Sequence, residues 1–190
     1  MTQKGDTMVA GESKPNPHHN PNQRGLAADP SRMRITNANQ TPKRRVLILS
    51  RNNRCNSQMM EAWIRHIAAD RLEVVSAGLM PDDLHPFALE VMFEVGKDIS
   101  DQHPKPIEQF DGQEFEFVIT MCDYARDNCP EIPGARWMIH NPFNDPTMSS
   151  GDDERRMGAF RMARDDIHDW AKSFVTWSLQ QPTEQQVASA

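Results

Sequence analysis

The apolar positions of this chain fall into strand-length runs and helical stripes that begin only after residue 45. Val46-Leu47-Ile48-Leu49 is a continuous apolar run, and after a short polar loop Met59, Ala62, Trp63, Ile64 and Ile67 follow at spacings that predict a helix from Ser57 to about Ala69. Strands are predicted over Leu72 to Ser76, Phe115 to Cys122 and Trp137 to His140, a helix from about Pro86 to Val95, and a long helix from about Asp152. Pro86 suits the first turn of its helix, and Gly96 suits the position just past its end. The alternation of strand and helix predicts an α/β fold, one four-stranded parallel sheet flanked by helices on both faces. Its first loop then lies at the carboxyl end of a central strand, where open α/β sheets bind ligands.

The last helix carries Met157, Phe160, Ala163, Ile167, Trp170, Ala171 and Phe174 as a packing stripe, with Arg155, Arg156, Arg161, Arg164, Asp165 and Asp169 read as its solvated side. Trp177 and Leu179 prolong the helix, and residues 179–190 are expected to fray. Residues 1–44 are a different material. They are rich in Asn, Pro, Gln, Gly and Ser and lack hydrophobic periodicity, so a disordered basic tail is expected ahead of a single domain over 45–178. His18 and His19 in that tail read as a solvated pair, and Lys43-Arg44-Arg45 as a solvated strand edge.

Charge sharpens the division. Residues 1–45 carry a net +5 and the remainder a net −11, which disfavours nucleic acid as a partner of the domain. No apolar run is long enough to cross a bilayer and no signal-peptide core precedes the domain, so a cytoplasmic protein is expected, and a monomer. Three cysteines are too few for a disulfide framework and read as reduced thiols.

Candidate chemistry gathers in the first loop, Ser50-Arg51-Asn52-Asn53-Arg54-Cys55-Asn56-Ser57. Backbone amides converging at a helix N-terminus, with Ser57 available as the cap, favour a bound oxyanion. Together with Ser76-Ala77-Gly78, Asp98-Ile99-Ser100, Val118 to Asp123, Cys129-Pro130 and Asn144-Asp145-Pro146, the loop resembles low-molecular-weight protein tyrosine phosphatases and, most closely, their thioredoxin-coupled arsenate reductase relatives. The resemblance covers roughly residues 45 to 175 and implies that family's fold. Its loop reads Cys, five residues, Arg, Ser. Here Ser50 stands at the cysteine position and Asn56 at the arginine position, while Asn53, Cys55, Ser57, Gln58, Met59 and Glu61 match.

Several roles follow as implications of that resemblance. Arg51, Asn52, Asn53, Arg54, Cys55 and Ser57 would line the anion site; Asp145 would match the phosphatase general acid; Cys122 and Cys129 would match the later redox couple. The two cysteines read equally as a surviving redox pair or as inherited structural thiols. Cys55 reads as a structural thiol. Asn53, Glu61 and Ser76 match positions that hold potassium in some reductases, but the fourth falls on Lys105, whose ammonium would replace the ion.

A serine hydroxyl stays protonated near neutral pH without an adjacent base, so the phosphocysteine route is closed at Ser50. Arsenate reduction draws its electrons from sulfur, and oxygen does not replace it. Asn56 offers an amide where the family has a bidentate cation. The expectation is an arsenate reductase or phosphatase-like protein that is catalytically impaired and retains an oxyanion-binding loop for phosphate or arsenate. No cofactor or metal is expected, and thioredoxin serves as reductant only if the protein turns over. The alternative is an active arsenate reductase or tyrosine phosphatase using a route that the loop does not reveal.

Overall fold

The computed structural model describes residues 42–183 and 186–187. The tail expectation, with His18 and His19, lies outside these residues up to position 41, as does the fraying expected of 184–185 and 188–190. In order, the elements are β1 (Arg44–Ser50), α1 (Asn56–Ala68), β2 (Leu72–Gly78), α2 (Pro86–Glu94), β3 (Phe117–Thr120), α3 (Asp123–Asp127), β4 (Trp137–His140) and α4 (Asp153–Ser178). The four strands form one parallel sheet in the order β2-β1-β3-β4. The predicted α/β class and strand number stand.

β1 is central because both its faces are buried. Val46, Leu47, Ile48 and Leu49 are all fully inaccessible, which requires an apolar run rather than an alternating strand. Val46 and Ile48 join Met59, Ile64, Phe117, Phe160 and Phe174 in the larger core, whereas Leu47 and Leu49 join Ala77, Phe115, Val118 and Ala125 on the other face. β2 and β3 flank β1 on opposite sides, so the chain leaves β1 at the point where strand order reverses, and its loop opens into a crevice there.

Four local expectations change. β3 is shorter than predicted, Phe117–Thr120 rather than Phe115 to Cys122. β1 and β2 run longer than predicted, because Arg44 and Arg45 continue the pairing with Leu72 and Glu73, and Ser50 pairs with Gly78. Arg44 is no solvated edge: it makes a two-pronged bond to Glu116 at 2.6 and 2.8 Å, reaches the Gln181 carbonyl at 3.0 Å and lies over the Phe117 ring. Arg164, on the side of α4 read as solvated, is buried and donates to Val91 O at 2.9 Å and Glu94 Oε2 at 3.2 Å. A long guanidinium stem crosses apolar surface to reach a carbonyl, which a periodicity count does not register.

α2 starts as its sequence predicts, with Pro86 in the first turn, but its cap is unusual: His85 Nδ1 accepts the Phe87 amide at 3.1 Å while the ring lies 4.6 Å from Phe160. Gly96, at φ +71°, ends it with paired bonds from Gly96 N and Lys97 N to Phe93 O and Met92 O. Burial, then the nearby Arg54 and Arg156 guanidinium groups, lower the His85 pKa below 6.5. The neutral ring is also what the cap needs, because only an unprotonated Nδ1 accepts. Above pH 6.5 both folded and unfolded chains carry a neutral ring; below it the unfolded chain gains a proton that the folded one resists. Stability is therefore lost as pH falls below 6.5 toward the lower folded-state value. Denaturant midpoints at pH 7.5 and 5.5 should show a smaller drop for His85→Asn, whose side chain still caps α2, than for the natural protein. An equal drop would mean that His85 does not set this pH dependence.

Candidate functional site

The loop from Ser50 to Cys55 crosses the end of β2 at close quarters. A Cβ on Gly78 would lie 2.9 Å from Asn53 Cβ and 3.1 Å from the Asn52 carbonyl carbon, so only glycine lets the loop pass. Asn53 turns it with φ +50°, the one positive φ among the described non-glycine residues, and asparagine tolerates that conformation better than most side chains. Its fully buried amide then fastens the loop from inside. Asn53 Nδ2 donates to Ser57 Oγ at 3.0 Å and Ser76 Oγ at 2.8 Å; Oδ1 accepts from Lys105 N at 2.9 Å and Gln58 Nε2 at 3.1 Å.

Ser50 sits at the start of this turn. Its hydroxyl oxygen accepts the Asn53 amide at 2.9 Å and lies 2.8 Å from Ser57 Oγ. Among the described residues, the amides of Arg51, Asn52, Arg54, Cys55, Asn56 and Ser57 donate to no protein acceptor. Unpaired N–H groups that precede and open a helix form an anion-holding concavity. The cavity at this loop, of about 80 Å³, is lined by Ser50 to Asn56 together with Met121, Cys122, Phe143 and Asp145.

Two expectations about the loop need correction. Ser57 is not the cap of α1: Cys55 takes that position without a side-chain bond, and Ser57, inside the first turn, spends its hydroxyl on Ser50 and Asn53. Ser57 is also buried behind the loop rather than lining the cavity. Arg51, Asn52, Asn53, Arg54 and Cys55 do line it, and Cys129 does not.

Of the two cationic side chains at the mouth, Arg54 is tethered. Arg54 bonds Asp82 at 3.1 Å and Thr147 Oγ1 at 2.9 Å, and that hydroxyl in turn donates to Asp145 Oδ1 at 2.7 Å. Asn56 Nδ2 donates to Asn144 O at 3.0 Å. The acidic loop is therefore tied to the first loop at two points, by Arg54 through Thr147 and by Asn56. Arg51 makes no ion pair among the described residues and lies 4.8 Å from the Tyr124 ring centroid. Asn144 belongs to a segment that the resemblance includes, but its bond to Asn56, and the parts played by Thr147 and Tyr124, have no sequence signal, because they depend on separate segments meeting.

The three thiols are free and differ in setting. Burial first, then the Asp145 carboxylate, push the Cys55 thiol far above its usual range, with Arg54 opposing; it is a packed S–H group. Cys122 is half-buried at the cavity wall, and Cys129 is half-buried with its thiol raised by burial.

Behind the loop lies a buried carboxylate. Glu61 Oε2 accepts from Ser76 N at 2.8 Å, from the Ser76 hydroxyl and from Lys105 Nζ at 3.3 Å; Oε1 pairs with Arg65 at 2.6 Å. Lys105 Nζ also reaches His103 O at 3.2 Å. The ammonium therefore lies where the resemblance would put a potassium ion, against Glu61, and a separate cation would have to displace it.

A parallel sheet that sets a strand-loop-helix turn of unpaired amides beside a carboxylate loop is the frame of a phosphatase-type α/β protein. The chain belongs to the low molecular weight phosphotyrosine protein phosphatase family, whose model matches residues 45–181. It is 36% identical over 133 residues to the arsenate reductase of Halalkalibacterium halodurans, covering 70% of this chain and 96% of that protein. It is similar to a solved arsenate reductase in the phosphate binding state, with TM-score 0.62 and 28% identity over 70% of this chain and 97% of the other. A thioredoxin-dependent arsenate reductase of Corynebacterium glutamicum is 30% identical with TM-score 0.51, over 74% of this chain and 65% of that one.

Removing one partner of the buried Lys105–Glu61 pair strands a charge. Lys105→Met should cost about 3 kcal/mol in urea unfolding, the low end for breaking a buried pair because Arg65 remains. Potassium should raise the midpoint of the variant and leave the natural protein unchanged. A potassium-dependent midpoint in the natural protein would contradict the ammonium's role.

Proposed function

We propose that the protein is an oxyanion-binding member of this family, with a loop that holds phosphate or arsenate and no working phosphocysteine route. The observation that carries the reading is the state of Ser50. Its oxygen takes the Asn53 amide and meets the Ser57 hydroxyl, and neither partner is a base that draws off its proton. On this reading Ser50 stands at the nucleophile position and Asn56 at that of the oxyanion clamp, and the Asn56 amide already serves Asn144 O. Asp145 is then an acid with no covalent intermediate to act upon.

The unpaired loop amides support binding, as does Arg51, a guanidinium at the cavity without a carboxylate partner among the described residues. The ligand is a small tetrahedral oxyanion, and the protein works as a monomer in the cytoplasm without a metal or cofactor. No helix among the described residues is long and apolar enough to cross a membrane. Thioredoxin enters only if the protein turns over, as the reductant of a Cys122–Cys129 disulfide. The competing reading, a reductase that runs through those two thiols, draws on the place of Cys122 in the cavity wall.

Calorimetric titration should show saturable binding of phosphate and arsenate to the reduced protein. The same protein should be inactive toward p-nitrophenyl phosphate and toward arsenate supplied with thioredoxin and its reductase. Ser50→Cys with Asn56→Arg should raise phosphatase turnover at least about a hundredfold, the scale of one lost transition-state contact. Turnover by the natural protein, abolished by Cys122→Ser, would favour the reductase reading, and absence of anion binding would overturn both.

A further inference from the structure

We propose that Asp145 makes the cavity selective for tetrahedral oxyanions that still carry a proton, such as inorganic phosphate and arsenate, over fully deprotonated ones such as sulfate. The inference rests on the oxyanion reading above and names the ligand class of that site. Shape does not make this choice, because phosphate, arsenate and sulfate are all small tetrahedral anions. The sense of one hydrogen bond does.

Most of what the loop offers a ligand is a donor: its unpaired backbone amides and the Arg51 guanidinium. Asp145 is the exception, a carboxylate among the residues that line the cavity. Its Oδ1 is already taken, by the Thr147 amide at 2.9 Å and the Thr147 hydroxyl at 2.7 Å, and the buried Pro146 between the two residues anchors the turn that carries it. Oδ2 accepts from no group among the described residues, so it is the acceptor that Asp145 keeps for a ligand. The charge acts on the loop itself, since after burial the Asp145 carboxylate is the next cause that pushes up the Cys55 thiol.

The cations nearby do not neutralise that carboxylate. Arg54 gives its ion pair to Asp82 at 3.1 Å and reaches Asp145 only through the Thr147 hydroxyl. Asn56 brings a neutral amide, and its Nδ2 goes to Asn144 O at 3.0 Å. A ligand oxygen that meets Oδ2 therefore decides the outcome by its own protonation. An O–H donates to the carboxylate in a charge-assisted bond. A bare oxygen sets an anion against an anion with no proton between them, and both lose water. Near neutral pH every form of phosphate and arsenate keeps at least one O–H, whereas sulfate has none.

The test is calorimetric titration of the reduced full chain at pH 7.5 with inorganic phosphate and, separately, with sulfate at matched ionic strength. Phosphate should bind at least about tenfold more tightly, the scale of one hydrogen bond to a charged group. In Asp145→Asn the ratio should fall to within about twofold, chiefly through tighter sulfate, because the amide still caps Thr147 N and turns a donor toward the ligand. A gain in sulfate affinity is a change that loss of structure does not produce. If Asp145→Asn fails to fold, Asp145→Ser, uncharged and still able to cap, should show the same fall in the ratio. Sulfate bound as tightly as phosphate by the natural protein, or a ratio unchanged in the uncharged variants, would overturn the selectivity and leave the oxyanion reading standing. Binding of neither anion would overturn both.

Discussion

The site depends on the buried amide of Asn53. A loop of unpaired N–H groups is costly to hold open, because each amide would rather find an acceptor than wait for a ligand. Asn53 supplies the restraint from behind: a left-handed turn, four side-chain bonds to Ser57, Ser76, Gln58 and Lys105, and a backbone amide given to Ser50. Its Ser76 partner leads on to Glu61 and so to Lys105 and Arg65, which makes the rear of the loop a polar network that runs from the buried core out to the exposed Arg65. Gly78 is the steric counterpart, the one residue whose missing Cβ lets Asn53 lie against β2. The cradle is therefore set before any ligand arrives, which lowers the ordering cost of binding.

The front of the site is organised differently. Arg54 and Asn56, which face the cavity, are tied to the acidic loop through Thr147, Asp145 and Asn144, so their polar groups hold two loops together. Arg51 lies over the Tyr124 ring and makes no ion pair among the described residues, so on the proposed reading it is the cation that meets an anion. On the proposed reading, polar groups that would stabilise a transition state serve here to fix the shape of the mouth. On the same reading binding and turnover separate, since a preformed amide nest holds a ground-state oxyanion without a thiolate.

Much of the fold was legible because its signals are local. The continuous run at Val46–Leu49 marked the doubly buried central strand, Pro86 and Gly96 bracketed α2, and the polar stretch after β1 marked the anion loop. What sequence did not show lies where one element meets another. Arg44 and Arg164 read as solvated because their charges say so, yet their stems run to Glu116 and to the Val91 carbonyl across the fold. Ser57 had the chemistry of a cap but is drawn away by Ser50 and Asn53, a tertiary competition that a capping pattern does not include. The clamps from Arg54 and Asn56 to the acidic loop join segments tens of residues apart, and that distance leaves no periodic trace.

The most direct test of the central claim, a preformed cradle that holds an oxyanion through its backbone, is a phosphate titration of the ¹⁵N-labelled, reduced protein followed by backbone amide resonances. Saturable shifts should concentrate in the amides of Arg51, Asn52, Arg54, Cys55, Asn56 and Ser57, with the Asn53 side-chain amide little moved. Shifts confined to other surfaces, or no saturable response in the loop, would contradict it.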